Sequence, residues 1–186
     1  MEALKKVIEK ERYTYEDYIT WPDEPRCELV DGKIYLMTAP KIKHQRILKK
    51  ITVKIEGFLE NKSCELFVSP IDVRLNHDEG DDTVVQPDLL VVCDENKIDE
   101  KGIIGVPDLI IEIISPSSVQ IDTMLKFNKY LKAGVKEYWI VDPENKLVIV
   151  NTLDKDNYIS KTYEENDIIH SKVLVGLEIK LSEVFV

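Results

Sequence analysis

The most constraining feature of the sequence is an apolar run, Leu109-Ile-Ile-Glu-Ile-Ile114, that carries a carboxylate in its middle. An unbroken series of β-branched residues is typical of a strand that is covered on both faces of a sheet. An ionised carboxylate inside such a strand costs on the order of several kcal/mol unless a cation or hydrogen-bond donors compensate for it. A positive group should therefore face Glu112, unless this side chain points to a solvated face of the sheet or pairs with a structural arginine.

The segments after this run predict a strand, a helix and a second strand in succession. Ser117 or Ser118 can cap a helix that reaches Ala133, because Gly134 supplies the residue type that commonly ends a helix. The residues from Lys136 to Val141 are then typical of another strand. This order indicates an α/β protein in which helices flank a sheet.

The first third of the chain predicts two helices and a hairpin. A helix begins after Thr14 and ends near Trp21, and the Asp31-Gly32 pair between two apolar runs is a strong hairpin signal. Apolar residues at helical spacing predict a long helix over 42–59, and short strands account for most of the later chain. With 186 residues and no repeat or linker, the sequence predicts a single domain over 1–186.

The charge distribution limits the classes of partner. The net charge of −10 argues against a protein that coats nucleic acid through bulk electrostatics. The segment from Lys41 to Lys54 nevertheless holds six basic residues and no acid. It predicts either a solvated helix face or a surface that contacts DNA phosphates, for which the candidates are Lys41, Lys43, Arg46, Lys49 and Lys50.

The cysteines and histidines are scattered along the chain. Cys27, Cys64 and Cys93 form no Cys-x-x-Cys pair, and this spacing argues against a zinc site. We therefore expect free thiols in a reducing compartment. No signal-peptide pattern and no run of about 18 apolar residues is present, so we expect a cytoplasmic protein without a membrane partner.

A second acid lies in a setting similar to that of Glu112. Asp88 stands at the entry to an apolar strand in Gln86-Pro-Asp-Leu-Leu-Val-Val92, although a Pro-Asp pair also marks simple turns. Because one connection separates the two strands, Asp88 and Glu112 can lie side by side in a sheet. Two carboxylates together with main-chain carbonyls form a plausible Mg²⁺ or Mn²⁺ site.

The helix after Ser118 offers a cation for this site. Asp122, Lys126 and Tyr130 are four residues apart and share one stripe of the helix. Lys126 can reach Glu112 if the helix crosses beside the strand. The alternative is a surface pair between Asp122 and Lys126, worth about 0.3 to 0.5 kcal/mol.

Taken in order, several segments resemble the Uma-two family of restriction endonucleases, within the PD-(D/E)XK nuclease superfamily. The resemblance runs over almost the whole chain and implies a restriction-endonuclease-like mixed sheet flanked by helices. The segments that carry it are Tyr13-Thr-Tyr-Glu-Asp-Tyr, Cys27-Glu-Leu-Val-Asp-Gly-Lys-Ile, Gln86-Pro-Asp-Leu, Pro107-Asp-Leu-Ile-Ile-Glu-Ile-Ile-Ser-Pro-Ser-Ser and Ala133-Gly-Val-Lys-Glu-Tyr-Trp-Ile-Val-Asp-Pro.

The resemblance also implies a catalytic set. Asp88 and Glu112 match the family's metal-binding acids, and the Ile113 carbonyl would complete the protein ligands of Mg²⁺ or Mn²⁺. The usual Glu-x-Lys is absent because residue 114 is isoleucine, so the lysine is expected on the following helix as Lys126. This lysine would orient the attacking water or offset developing charge.

Further residues could support this set. Glu28 and His44 match polar positions around the family's site, while a hairpin surface acid and a surface histidine are the alternatives. Gln86 could orient the lysine or contact a phosphate, or merely satisfy backbone groups. Asp122 and Tyr130 complete the supporting residues.

Two functions are compatible with these residues. The first is a metal-dependent DNA endonuclease, which would favour a two-fold homodimer if each chain cuts one strand. The second is a nuclease-like scaffold with little or no activity that acts as a DNA- or protein-binding module. RNA is an open alternative substrate. No glycine-rich phosphate loop and no Gly-x-Ser-x-Gly motif point to other chemistry.

Overall fold

Strands dominate the architecture, which a computed structural model describes for residues 10–115 and 121–185. The helices are α1 (Tyr15–Tyr18), α2 (Ile42–Leu59) and α3 (Phe127–Ala133), the last preceded by a π-helical stretch over Ile121–Lys126. The strands are β1 (Cys27–Val30), β2 (Lys33–Leu36), β3 (Glu65–Val68), β4 (Val73–Arg74), β5 (Val84–Val85), β6 (Leu89–Val92), β7 (Ile98–Asp99), β8 (Gly102–Ile104), β9 (Leu109–Ile113), β10 (Glu137–Asp142), β11 (Leu147–Asp154), β12 (Asn157–Glu164), β13 (Ile168–His170) and β14 (Glu178–Lys180).

Strands β1 to β12 belong to two six-stranded mixed sheets. The first has the order β2-β1-β5-β4-β8-β7 and the second the order β12-β11-β10-β9-β6-β3, while β13 and β14 form a small separate pair. Strand β9 runs parallel to β10 and antiparallel to β6. The mixed α/β class is confirmed, with two large sheets in place of the one that the sequence indicated.

Strand β9 separates two hydrophobic cores, because successive side chains of a strand point to opposite faces. Leu109, Ile111 and Ile113 pack in the core that is covered by α2. Ile110 belongs to the opposite core, together with Tyr130 of α3 and Tyr138 of β10. Glu112 therefore shares the face of Ile110 and is directed toward α3.

The local signals in the first third of the chain are confirmed. The Asp31-Gly32 turn joins β1 to β2, and both residues have positive φ, 52° and 73°, as a tight two-residue hairpin turn requires. Helix α2 begins and ends where its apolar spacing predicts. Thr14 is the N-cap of α1, and the Asp17 carboxylate accepts its main-chain N–H at 3.1 Å.

The thiols differ from the prediction. Cys64 and Cys93 form a disulfide, whereas Cys27 is free and buried. The two bonded cysteines lie just outside β3 and β6, and the pairing of Glu65 with Val92 brings them opposite each other. The expectation of three free thiols is therefore wrong, because sequence spacing does not reveal the register of two distant strands.

Within residues 10–115 and 121–185, none of the helices combines the length and apolar character that a membrane crossing would demand. The predicted start of the helix at Ser117 or Ser118 lies outside the described residues. From Ile121 onward the chain is helical up to Ala133, where Gly134 has a φ of 86° and ends α3 as predicted.

Candidate active site

The two predicted acids meet at one end of strands β6 and β9. The antiparallel pairing of these strands ends at Leu89 and Ile111; Asp88 directly precedes β6, and Glu112 is the next residue of β9 beyond the paired segment. Asp88 Oδ2 accepts the main-chain N–H of Ile113 at 2.8 Å. This hydrogen bond places the Asp88 carboxylate beside the strand residue that follows Glu112.

Lys126 lies between two buried carboxylates. Its Nζ atom is 2.8 Å from Oε1 of Glu112 and 2.8 Å from Oε1 of Glu28. The three residues are only 3%, 4% and 4% exposed, for Lys126, Glu28 and Glu112 in turn. The cation that the sequence required beside Glu112 thus comes from the helical segment after β9, and it is shared with an acid of β1.

Tyr130, one helical turn after Lys126, also contacts the Glu112 carboxylate. Its hydroxyl donates a hydrogen bond to Oε1 of Glu112 at 2.9 Å, and the ring packs edge-on against Tyr138 with centroids 4.8 Å apart. Burial and the neighbouring Glu112 carboxylate raise the pKa of Tyr130 well above its usual range. The hydroxyl therefore remains a proton donor that fixes the orientation of Glu112.

Glu28 is a buried part of this cluster rather than a surface acid of the hairpin. All four residues of β1 are buried, because this strand pairs with β2 on one side and β5 on the other. Oε1 of Glu28 accepts the main-chain N–H of Gln86 at 2.7 Å. The Gln86 side chain accepts from Arg26 at 2.7 Å and donates to Asp72 at 2.8 Å.

His44 is buried in the first turn of α2, so the alternative of a surface histidine is wrong. Its Nε2 atom is 3.0 Å from Oδ2 of Asp88. An ionised carboxylate only accepts hydrogen bonds, and this contact therefore assigns the proton of a neutral His44 to Nε2. Nδ1 of His44 is buried and has no hydrogen-bond partner among the described residues.

These groups line a single cleft with a volume of about 420 Å³. The side chains of Glu28, His44, Asp88, Glu112 and Lys126 all line it. Gln86, Ile113 and Lys41 contribute to the same lining. The Asp122 side chain, predicted as a supporting group, lies outside the described residues.

The comparison with known families covers most of the chain. Residues 15–182 match the model of the Uma2 (Uma-two) family, described as "Putative restriction endonuclease". The chain belongs to this family. An uncharacterized protein of Synechocystis sp. is 23% identical over 174 residues, which cover 91% of this chain and 90% of that protein.

A solved structure supports the fold of this Uma2 family member. A crystal structure from Anabaena variabilis, described as "a putative nuclease belonging to DUF820", superposes with a TM-score of 0.77 and 22% sequence identity. The match covers 93% of this chain and 97% of that chain. The restriction-endonuclease-like fold that the sequence predicted is therefore confirmed.

The donor atoms of the cleft suit a hard divalent cation. Within the described parts of this Uma2 chain, no group of three or more His, Cys, Asp or Glu side chains is arranged to hold a metal ion. Mg²⁺, however, is commonly bound by one or two carboxylates, with waters and substrate phosphates completing its octahedral shell. Asp88 and Glu112 in one cleft, beside the main chain of Ile113, match that smaller requirement.

The basic residues of α2 divide into two groups. Lys41, the N-cap residue, and Lys49 are exposed and share a stripe with Gln45; Lys41 and Gln45 line the cleft, and Lys49 lies one turn further along the helix. The lysines of the second group contact Glu144 or Glu183. Lys43 pairs with the Glu144 carboxylate at 3.2 Å, Lys50 donates to the main-chain carbonyl of Glu183 at 2.8 Å, and Lys54 pairs with the Glu183 carboxylate. Arg46 is exposed between the two groups.

Sequence reasoning missed the polar residues behind Gln86. Arg26 donates to Ser69 at 3.0 Å as well as to Gln86, and Asp72 accepts from Tyr18 at 2.8 Å. Asp72 and Ser69 belong to the segment between β3 and β4, far from Arg26 in the chain. No spacing in the sequence indicates these contacts, which arise only when β1 and β5 pair.

Proposed function

We propose that this chain is a divalent-metal-dependent endonuclease that hydrolyses phosphodiester bonds of DNA. The observation that carries the proposal is the convergence of Asp88, Glu112 and Lys126 in one cleft, with Asp88 hydrogen-bonded to the main chain of Ile113 and Lys126 paired with Glu112. Membership of a family described as restriction endonucleases supports the same reaction class.

Asp88, Glu112 and the Ile113 carbonyl would hold Mg²⁺ or Mn²⁺. Such an ion, when bound, supplies a water of lowered pKa and stabilises negative charge on a phosphoryl group. The protein's contribution is to fix the two carboxylates before the substrate arrives. Tyr130 and Lys126 hold Glu112, while His44 and the Ile113 N–H hold Asp88.

Lys126 would supply a positive charge to the cleft in addition to that of the metal ion. Its ammonium group lies in the cleft, where a low dielectric strengthens its attraction to a phosphate. Glu28 and Glu112 both accept from Nζ of Lys126 and prevent this long side chain from turning away. Lys126 would therefore offset charge on the scissile phosphate or orient the attacking water.

The exposed stripe of α2 beside the cleft would contact the DNA backbone. A Lys41→Gln/Lys49→Gln double variant is expected to weaken DNA binding about five- to tenfold at low salt. It should also reduce the slope of log affinity against log salt by about one to two. Fluorescence anisotropy of a labelled duplex, measured with chelator across a salt series, provides both values.

The matched control is the double variant Lys43→Gln/Lys54→Gln, which removes two lysines of α2 outside the stripe of Lys41 and Lys49. These side chains are already paired with Glu144 and Glu183. The control should leave the salt slope nearly unchanged although it removes the same number of charges. An equal loss of affinity in both double variants would show that the stripe beside the cleft has no particular part in binding.

The function itself is tested by a cleavage assay on supercoiled plasmid, linear duplex, single-stranded DNA and RNA. Nicked or linear products should accumulate with Mg²⁺ or Mn²⁺ and disappear on addition of chelator. Activity on RNA alone would assign the same site to ribonuclease chemistry.

One site per chain favours a two-fold dimer for double-strand cuts, and sedimentation in the presence of DNA measures that assembly.

A further inference from the structure

We propose that a second cleft, which adjoins the candidate active site, binds an unpaired nucleobase that carries an exocyclic amino group, cytosine or adenine. The inference deepens the proposed function, because it names the form of nucleic acid that would be presented to the site. The cleft has a volume of about 600 Å³, and aromatic side chains of α1 and the residues after it form its walls: Tyr15, Tyr18 and Trp21.

The two clefts share a wall. Arg26 and Gln86 line both of them, and Arg26 donates to the Gln86 side chain at 2.7 Å and 3.2 Å. A strand whose phosphate reaches the catalytic cleft would therefore pass Arg26 before its next base meets the aromatic wall. This contiguity favours a nucleotide of the substrate strand over an unrelated small molecule.

The aromatic wall offers a stacking surface. Trp21 is partly exposed and contacts Tyr13 and Tyr18 edge to face, at centroid distances of 5.3 Å and 5.4 Å. The indole of Trp21 also lines the cleft, together with the rings of Tyr15 and Tyr18. Stacking of bases on such rings is the usual way in which proteins bind single-stranded nucleic acid.

Asp72 supplies the selective group in the lining of this cleft. Its Oδ1 atom accepts from the Tyr18 hydroxyl at 2.8 Å and from Nε2 of Gln86 at 2.8 Å, so the carboxylate is held in place. Burial and the adjacent Asp72 charge raise the pKa of Tyr18, which therefore stays a donor. A carboxylate accepts hydrogen bonds from the amino groups of cytosine and adenine, whereas thymine presents a carbonyl at the equivalent position.

The charges around the cleft favour the same orientation. Asp23 and Glu24 are exposed in the lining and would repel phosphates, Lys101 offsets one of these two charges, and Arg26 lies on the side shared with the active site. The base would therefore enter the cleft while its phosphates remain beside Arg26. A duplex cannot insert a paired base in this way, so the substrate would be single-stranded, frayed or flipped at this nucleotide.

The chain provides its own fluorescent reporter for this binding. It contains two tryptophans, and Trp139 is only 1% exposed, so a bound base can quench only Trp21. The intact protein, with chelator at mildly alkaline pH, is titrated with oligo(dC), oligo(dT) and an abasic oligomer of equal length. We expect quenching by oligo(dC) at concentrations at least about fivefold lower than by oligo(dT), and no quenching by the abasic oligomer.

Two variants complete the test. Trp21→Phe should abolish the quenching, and Asp72→Asn should bring the oligo(dC) and oligo(dT) curves together. Equal quenching by the two oligomers in the wild type, or a signal that persists in Trp21→Phe, would overturn the inference. Because the titration contains chelator and measures binding, a failed cleavage assay would count against the proposed function alone.

Discussion

The Asp88→Asn variant is expected to cleave DNA at least about a thousandfold more slowly than the wild type in Mg²⁺ or Mn²⁺. Asparagine preserves the size of the side chain, and its carbonyl oxygen can still accept the Ile113 N–H. It removes the negative charge that a divalent cation needs from this position. The expected loss is therefore one of metal-dependent chemistry and not of folding.

The measurement is the single-turnover rate at which supercoiled plasmid is nicked. Asp156→Asn is the matched control, since it makes the same chemical change at an exposed position between β11 and β12. Its rate should equal that of the wild type, and both variants should melt near the wild-type temperature. Equal rates for wild type and Asp88→Asn would remove Asp88 from the chemistry.

The second large effect is expected from Lys126→Met, which should lower the free energy of unfolding by about 3 to 5 kcal/mol. Methionine fills much of the same volume, so the loss comes chiefly from charge. Without the ammonium group, the carboxylates of Glu28 and Glu112 remain buried at 4% exposure without their shared cation. Urea unfolding at neutral pH measures the difference.

Two further variants distinguish the loss of a buried charge from a simple packing defect. Lys129→Met removes a lysine of α3 that pairs with Asp31 near the surface, and it should cost less than about 1 kcal/mol. Adding Glu112→Gln to Lys126→Met should restore part of the lost stability, because one of the two buried negative charges that lost their shared cation is removed. A double variant that is less stable than Lys126→Met would contradict the electrostatic explanation.

The sequence predicted the centre of this site because its signals are local. A carboxylate inside an apolar β-branched run must find a compensating group, which predicted a cation beside Glu112; the choice of Lys126 over a surface pair between Asp122 and Lys126 came from the resemblance to the Uma-two family. The hairpin at Asp31-Gly32 and the extent of α2 were predictable for the same reason, since turn chemistry and helical spacing act over a few residues.

The parts that sequence reasoning left open or missed depend on pairing between distant segments. Glu28 is buried because β5, which contains only two residues, pairs with β1, and so short a strand leaves no periodic pattern. His44 is buried because the start of α2 lies against Asp88. The bond between Cys64 and Cys93 likewise requires the register of β3 and β6.

The most direct test of the account is calorimetric titration of the wild type and Glu112→Gln with Mn²⁺, without DNA. We expect the wild type to bind Mn²⁺ and Glu112→Gln to lose this binding over the same concentration range, because a carboxylate ligand is replaced by a neutral amide. A wild type that binds no Mn²⁺, or a variant that binds it equally well, would contradict the metal-dependent site and favour a nuclease-like scaffold that acts by binding alone.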